Sequence, residues 1–257
     1  MAQMSETNDR SISSPLLDGP LTGASALVTG GSRGIGRAIA LRLAKLGARV
    51  AICGRQQSAL DRTLGMLRDL GGNLGATAHA QVADVSSADE VAALVAATES
   101  AIGRISILVN NAGIGKFGPV LEQSEATWDT ILDTNLKSVF LVSRAVAPGM
   151  IARGAGDIIN ISSLAGLNAF AGGALYCASK WGLQGLTACM AEDLRAHGIR
   201  VSVICPGSVT TEFGGKLAQN KPHALQAEDI AHAVETIVTQ APNSFISQLQ
   251  IRPLRKA

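Results

Sequence analysis

Aromatic side chains are scarce in this chain. They make up 3% of its 257 residues, as five Phe, two Trp and a single tyrosine, Tyr176. Hydrophobic residues nevertheless reach 47%, so the core must be built from Ala, Val, Leu and Ile. That material suits helices packed on a parallel sheet. An excess of charge of one sign is also missing: 22 basic against 20 acidic residues leave a formal net charge of +2. No long basic run occurs, which argues against a nucleic-acid surface. The nearest approach is the tail, Arg252, Arg255 and Lys256, which reads as a solvated end. The four cysteines, Cys53, Cys177, Cys189 and Cys205, form no C-x-x-C pair. No histidine cluster accompanies them at zinc-ligand spacing, so no metal site is expected. Cys177 and Cys189 fall on one expected helix, about 18 Å apart at 1.5 Å per residue, too far for a disulfide. Reduced thiols in a reducing compartment are the simpler reading. The stretch 1–22 is polar and holds no apolar run long enough for a signal peptide, and no later run reaches membrane-spanning length. The expectation is a cytoplasmic chain without a membrane partner, with a loose arm over 1–22 and one domain over 23–257.

Strands and helices alternate along that domain. Apolar runs at 24–28, 49–53, 76–82, 105–109, 157–161, 200–205 and 245–251 read as strands. Helical periodicity falls at 35–46, 58–70, 87–101, 127–152, 173–196 and 228–239. Ser87 and Glu90 are spaced as a capping box. Pro148 lies inside the fourth helix, which is therefore one long helix or a bent one. The strict alternation, with no linker or composition break, points to an α/β fold: a single-domain, Rossmann-type, doubly wound parallel sheet.

The turn Thr29-Gly30-Gly31-Ser32-Arg33-Gly34-Ile35-Gly36 leaves the first strand and opens the first helix. In that context Gly30 permits a tight turn, Gly34 lets backbone approach a pyrophosphate, and Gly36 lets the helix pack close to the sheet. The helix start supplies N–H groups and positive dipole for the phosphates. Sites that prefer NAD place an acid at the end of the second strand to hold the ribose 2′-OH. Here Gly54 stands there, followed by Arg55. Arg33, Arg55 and the hydroxyl of Ser32 suit a 2′-phosphate instead. NADP(H) is thus the preferred cofactor, with NAD(H) second.

Tyr176 stands four residues before Lys180, so phenol and ammonium share one helix face. An ammonium near a phenol favours the phenolate and draws its pKa down from about 10. A tyrosine tuned in this way exchanges a proton with a carbonyl or alcohol oxygen.

Taken together these residues resemble the short-chain dehydrogenase/reductase family, from about residue 21 to 249. Thr29-Gly-x-x-x-Gly-x-Gly36 is similar to its cofactor turn, and Asn110-Asn111-Ala112-Gly113 to its motif after the fourth strand. The resemblance implies that Asn135, Ser163, Tyr176 and Lys180 form the catalytic tetrad. Ser163 is preferred over Ser162 because it lies thirteen residues before the tyrosine. Tyr176 would be the general acid or base, and Lys180 would bind the nicotinamide ribose and lower the tyrosine pKa. Ser163 would orient the substrate oxygen, and Asn135 would hold a water linking Lys180 to solvent. Cofactor contacts are implied at Gly30, Ser32, Arg33, Gly34, Ile35, Gly36, Arg55, Asp84, Val85, Asn110, Ala112, Gly113, Tyr176 and Lys180. Pro206, Gly207, Val209 and Thr211 would hold the carboxamide. The activity implied is interconversion of a small-molecule carbonyl and an alcohol. The family also implies a homo-oligomer, tetramer or dimer, paired through 127–152 and 173–196.

Two other readings stay open. One is a 3-oxoacyl-thioester reductase working with an acyl carrier protein. The tail Ile251-Arg252-Pro253-Leu254-Arg255-Lys256 in place of a glycine pair, and His197 where a second carrier-facing Arg would help Arg153, count against it. The other is a dinucleotide-sensing protein without catalysis, against which the intact tetrad argues. The segment 208–227 is expected to cover the substrate as a short lid, with 115–121 and 164–174 as pocket walls. His79, His197, His223 and His232 read as surface residues, and Trp128 and Trp181 as core or interface packing. Cys177, next to the tyrosine, turns away from it by about 100° of helix.

Overall fold

A computed structural model describes residues 19–71, 77–211, 213 and 222–255. Seven strands lie among them: β1 Ser25–Thr29, β2 Arg49–Gly54, β3 Ala78–Val82, β4 Ile107–Asn110, β5 Gly156–Ile161, β6 Ile199–Pro206 and β7 Gln248–Ile251. They form one sheet in the order β3-β2-β1-β4-β5-β6-β7, parallel throughout. Seven α-helices alternate with them: α1 Gly34–Lys45, α2 Gln57–Gly71, α3 Ala88–Ile102, α4 Glu125–Leu132, α5 Ser138–Ile151, α6 Ala174–Arg195 and α7 Ala227–Val238. The strand order reverses between β1 and β4, and a crevice at the carboxyl ends of such strands is where ligands bind in this architecture.

Side chains alternate across a strand, so each strand feeds two layers. Val28 and Ile52 pack with Ile39 and Leu43 of α1 and with Val234 of α7. Leu27 and Leu108 face the other way, onto Leu94 of α3 and Val142 and Met150 of α5. Neither layer contains an aromatic ring among its described members. The aliphatic core inferred from composition is the one observed.

Several boundaries differ from expectation for local reasons. The helix expected over 127–152 is α4 and α5 joined by a π-helical turn, Asp133–Lys137. The irregularity sits at Asn135, while Pro148 is accommodated inside α5. Ser87 caps α3 by accepting from Glu90 N–H, but the Glu90 carboxylate takes the Asp84 N–H at 2.8 Å, so the capping box is half formed. β7 begins at Gln248 rather than 245; the Ile246 N–H is taken by the Gln240 side chain at 2.8 Å. Residues 1–18 of the expected arm lie outside the described residues. The rest of it is tied down: Leu21 is buried and its N–H donates to Leu46 O at 2.9 Å. Of the expected lid, 212 and 214–221 lie outside the described residues. Its two ends are joined by a parallel bridge between Val209 and Leu225.

Candidate active site

The carboxyl ends of β1, β4, β5 and β6 enclose a cavity of about 1010 Å³. Its floor at one end is the glycine turn. Gly30 and Gly34 have φ of 65° and 52°, a left-handed backbone that side chains rarely adopt. A Cβ on Gly36 would lie 2.3 Å from Gly30 O, so only glycine lets α1 start this close. Thr29 and Asn111 fasten the turn to β4. The Thr29 hydroxyl accepts from Asn111 N–H at 3.0 Å and Ala112 N–H at 3.1 Å. The Asn111 amide donates to Thr29 O at 3.0 Å and Gly30 O at 3.2 Å. No side chain caps α1 and its first turn holds no acid, so its N–H groups and positive dipole end are left for an anion.

Ser32, Arg33, Gly54, Arg55 and Gln56 line that end of the cavity. A side chain on Gly54 would meet Ser32 Oγ at 3.2 Å. Gly54 stands at the β2 end in place of an acid, so Ser32, Arg33 and Arg55 fit a 2′-phosphorylated dinucleotide. Asp84 and Val85 line the cavity beside them. Hydrogen bonds from the Ser86 hydroxyl (2.6 Å) and N–H (2.9 Å) hold the Asp84 carboxyl below its usual range, with a smaller contribution from Arg55.

At the other end stand Ser163, Tyr176 and Lys180. Ser163 follows β5, where its Oγ accepts the Ala165 N–H at 3.1 Å, and it is hydrogen-bonded to the Tyr176 side chain. Ser162 also lines the cavity, and its Oγ receives the Gln184 amide at 3.0 Å. Tyr176 and Lys180 occupy one face of α6 and both are buried. The Lys180 ammonium donates to Ile161 O at 2.9 Å and lies 5.9 Å from the Tyr176 ring centroid.

The expected lowering of the phenol belongs to the cofactor-bound enzyme; in the protein alone the balance is set by burial. Burial dominates and pushes Tyr176 up to about 12, with the Ser163 hydrogen bond pulling the other way. Burial also pushes Lys180 down to about 8, partly offset by Cys205. With its ammonium turned to Ile161 O, Lys180 alone does not lower the phenol.

Two residues expected in the site are not on its wall. Asn110 is buried behind it, and its amide donates to Ser143 Oγ at 3.0 Å and Asn160 Oδ1 at 2.9 Å. Its neighbour Asn111 reaches the cavity instead. Asn135 is fully buried in the π-helical turn. It accepts the Ile114 N–H at 2.8 Å and donates to Ile114 O at 2.9 Å and Ser179 Oγ at 3.0 Å. Both its amide hydrogens are used within the protein, so a water beside Lys180 would have to take its donors elsewhere. Ser179 donates in turn to Tyr176 O at 2.8 Å, so Asn135 positions the loop after β4 against α6. The remaining expected residues, Gly30, Ile35, Ala112, Gly113, Pro206, Gly207, Val209 and Thr211 among them, all line the cavity.

Sequence reading missed other lining residues. Phe117, Phe170 and Phe213 reach the cavity from three different loops. Arg252 is no solvated tail residue but lines it too, because Ile251 pairs with Pro206 and carries the chain past the mouth. His79 is half-buried rather than a surface residue. Trp128 and Trp181 are exposed, at 46% and 53%, and so are not core packing. No cluster of metal-ligating side chains occurs among the described residues. None of the described helices is long and apolar enough to cross a membrane.

Known proteins share this sequence and shape. A family model for short chain dehydrogenases matches residues 24–222. A 2-(S)-hydroxypropyl-CoM dehydrogenase of Xanthobacter autotrophicus is 39% identical over 206 residues, 79% of each chain. A gluconate 5-dehydrogenase of Gluconobacter oxydans is 41% identical over 201 residues, 78% of this chain and 77% of the relative. Among solved structures, a metagenomic short-chain oxidoreductase in complex with NADP superposes with a TM-score of 0.80 at 44% identity, covering 92% of this chain and all of the other. An actinorhodin polyketide ketoreductase with NADPH gives 0.81 at 33% identity over 90% and 96% of the two chains.

Proposed function

The chain belongs to the short-chain dehydrogenase family, and from that premise we propose that it is an NADP(H)-dependent oxidoreductase interconverting a ketone and a secondary alcohol. The observation that carries this is one cavity holding both the glycine cradle and the Ser163–Tyr176–Lys180 group. The α1 start and the Gly30–Gly36 backbone would hold the pyrophosphate, and Ser32, Arg33 and Arg55 the 2′-phosphate. Ser163 orients the substrate oxygen, and Tyr176 gives it a proton in reduction or takes one in oxidation. In reduction the carbonyl π bond opens, a C–H bond forms with the hydride and an O–H bond with the Tyr176 proton. When bound, the nicotinamide supplies or accepts that hydride and, oxidised, adds a positive charge at the site. Such a charge favours the phenolate and offsets the burial that holds Tyr176 at about 12. Asn135 serves as a positioning residue through Ile114 and Ser179.

The test is dinucleotide consumption with a ketone panel, using NADPH and NADH in parallel. Turnover with a preference for NADPH is expected, and no turnover on any ketone with either cofactor would reject the reading. The carrier-protein thioester reading is weaker. Arg153, its best carrier-facing residue, is half-buried and donates to Ile105 O.

We further propose a symmetric oligomer built on α4, α5 and α6. Trp128, Phe140 and Trp181 on these helices are 46%, 44% and 53% exposed, more apolar surface than a monomer gains from showing. Light scattering at micromolar concentration should return a multiple of 26.4 kDa, and a monomer mass would refute it.

A further inference from the structure

We infer that the substrate carries an aromatic ring, held by Phe117, Phe170 and Phe213 beside Tyr176; this rests on the ketone–alcohol reading above and names its substrate class. The chain has only five phenylalanines, and its two core layers use none of them among their described members. Three of the five meet at the cavity instead, 45%, 48% and 36% exposed. Phe117 meets both Phe170 and the phenol, and Phe213 meets the phenol from another loop. Phe117 lies 5.8 Å from Phe170 and 5.5 Å from Tyr176, and Tyr176 lies 5.8 Å from Phe213, all centroid to centroid and tilted or edge-on.

The loops that carry the rings are shaped for them. A Cβ on Gly115 would lie 2.8 Å from the Phe213 ring and 2.9 Å from the Phe117 ring. A Cβ on Gly173 would lie 2.5 Å from the Phe170 ring. Gly118 N–H donates to Gly172 O at 2.9 Å, clasping the loop after β4 to the loop after β5. Glycines thus clear the space, and a backbone hydrogen bond fixes the spacing between two of the rings. A contiguous apolar wall left uncovered beside a polar reacting group is the signature of a ligand subsite. Rings meeting at these distances and tilts attract a further ring better than an aliphatic group of equal size. The subsite adjoins Tyr176, so the guest is an aryl ketone or its alcohol with the oxygen at the phenol.

The experiment compares acetophenone with cyclohexyl methyl ketone, equal in carbon skeleton, with 2,3-butanedione as a small ketone for the wild-type enzyme. Their kcat/KM ratio is read in wild type against the Phe117→Leu/Phe170→Leu double variant, so that the lower intrinsic reactivity of the conjugated aryl carbonyl cancels. The ratio of acetophenone to the cyclohexyl ketone should be about tenfold higher in the wild type than in the double variant, which keeps apolar volume at exposed positions. Calorimetric titration of 1-phenylethanol into the NADP⁺-loaded Tyr176→Phe variant should show binding that weakens by a similar factor when the two leucines are added. A ratio unchanged in the double variant would overturn the inference. Reduction of butanedione alongside such an unchanged ratio would sink the aromatic subsite and leave the oxidoreductase reading standing. No turnover of any ketone would remove both.

Discussion

At the cradle end of the cavity, Gly30, Gly34 and Gly36 clear side chains away so that backbone N–H groups and a helix start form the surface, and Thr29 and Asn111 lock that backbone to β4. At the far end, three phenylalanines and one tyrosine project from loops after β4, β5, β6 and from α6 to form the wall. The first surface is a fixed shape for one kind of ligand, because an added Cβ at Gly30 or Gly36 collides with backbone and Gly34 holds a left-handed φ. The second is a set of side chains, each of which can be exchanged without moving the chain. Cofactor choice should therefore be brittle to mutation and substrate choice adjustable.

The largest effect that separates the two ends should come from Tyr176, where they meet. Tyr176→Phe should lower turnover by about 10²–10⁴-fold, the usual worth of a general acid. Dinucleotide binding, measured by fluorescence titration, should persist because the cradle is untouched. Gly36→Val should do the reverse, weakening NADPH binding by about a hundredfold as α1 is driven off Gly30 O. Phe170→Leu, by contrast, should move the NADPH dissociation constant less than about threefold. Equal losses of cofactor affinity in those two variants would break the contrast.

Lys180 gives a pH-dependent effect of intermediate size. Its folded pKa of about 8 lies below its ordinary 10.5. Below pH 8 both folded and unfolded chains hold the proton, and between 8 and 10.5 only the unfolded chain does. The unfolded state then binds more protons, so this group makes the fold more stable as pH rises, by about 2–3 kcal/mol across the window. Cys53 and Tyr176, both pushed up to about 12 by burial, act oppositely above their ordinary 9.0 and 10.0. The signal is therefore the difference between wild type and Lys180→Met in denaturant melts at pH 7 and pH 9.5. The Met variant should lose its stability advantage as pH rises, and a difference independent of pH would contradict the burial of a titrating lysine. The smallest effect is at the 2′-phosphate. Arg55→Ala should raise the NADPH dissociation constant about tenfold and leave NADH nearly unchanged. Equal losses for both cofactors would remove Arg55 from that role.

What could be read from the sequence follows the same division. The cradle was legible because its chemistry lies in glycine spacing along one strand–turn–helix: Gly30 takes the left-handed turn and Gly36 the close approach their positions implied, and Gly34 has a left-handed φ of 52°. Ser163, Tyr176 and Lys180 were legible through a fixed separation on α6 and a family resemblance. The aromatic wall was not, because Phe117, Phe170 and Phe213 are far apart in sequence and meet only when three loops converge. Arg252 was misjudged because the pairing of Ile251 with Pro206, which brings it to the mouth, is a tertiary fact. Asn110 and Asn111 were interchanged for a simpler reason. Successive strand residues point to opposite sides, and only the sheet's surroundings decide which side is the cavity. For Tyr176, helix spacing reveals the neighbouring charge but not the burial that opposes it in the protein without cofactor.

Since this chain has one tyrosine, its ionisation can be followed alone by ultraviolet difference absorbance at the phenolate band. By itself the protein keeps Tyr176 protonated, and the oxidised cofactor's charge would bring the phenol into its working range. The wild type should then show no phenolate transition up to pH 10 without dinucleotide and a clear one below pH 10 with NADP⁺ bound. Lys180→Met should shift the cofactor-bound transition upward, and Tyr176→Phe should abolish the signal. A transition at the free-tyrosine value of about 10, unmoved by NADP⁺, would contradict the mechanism directly.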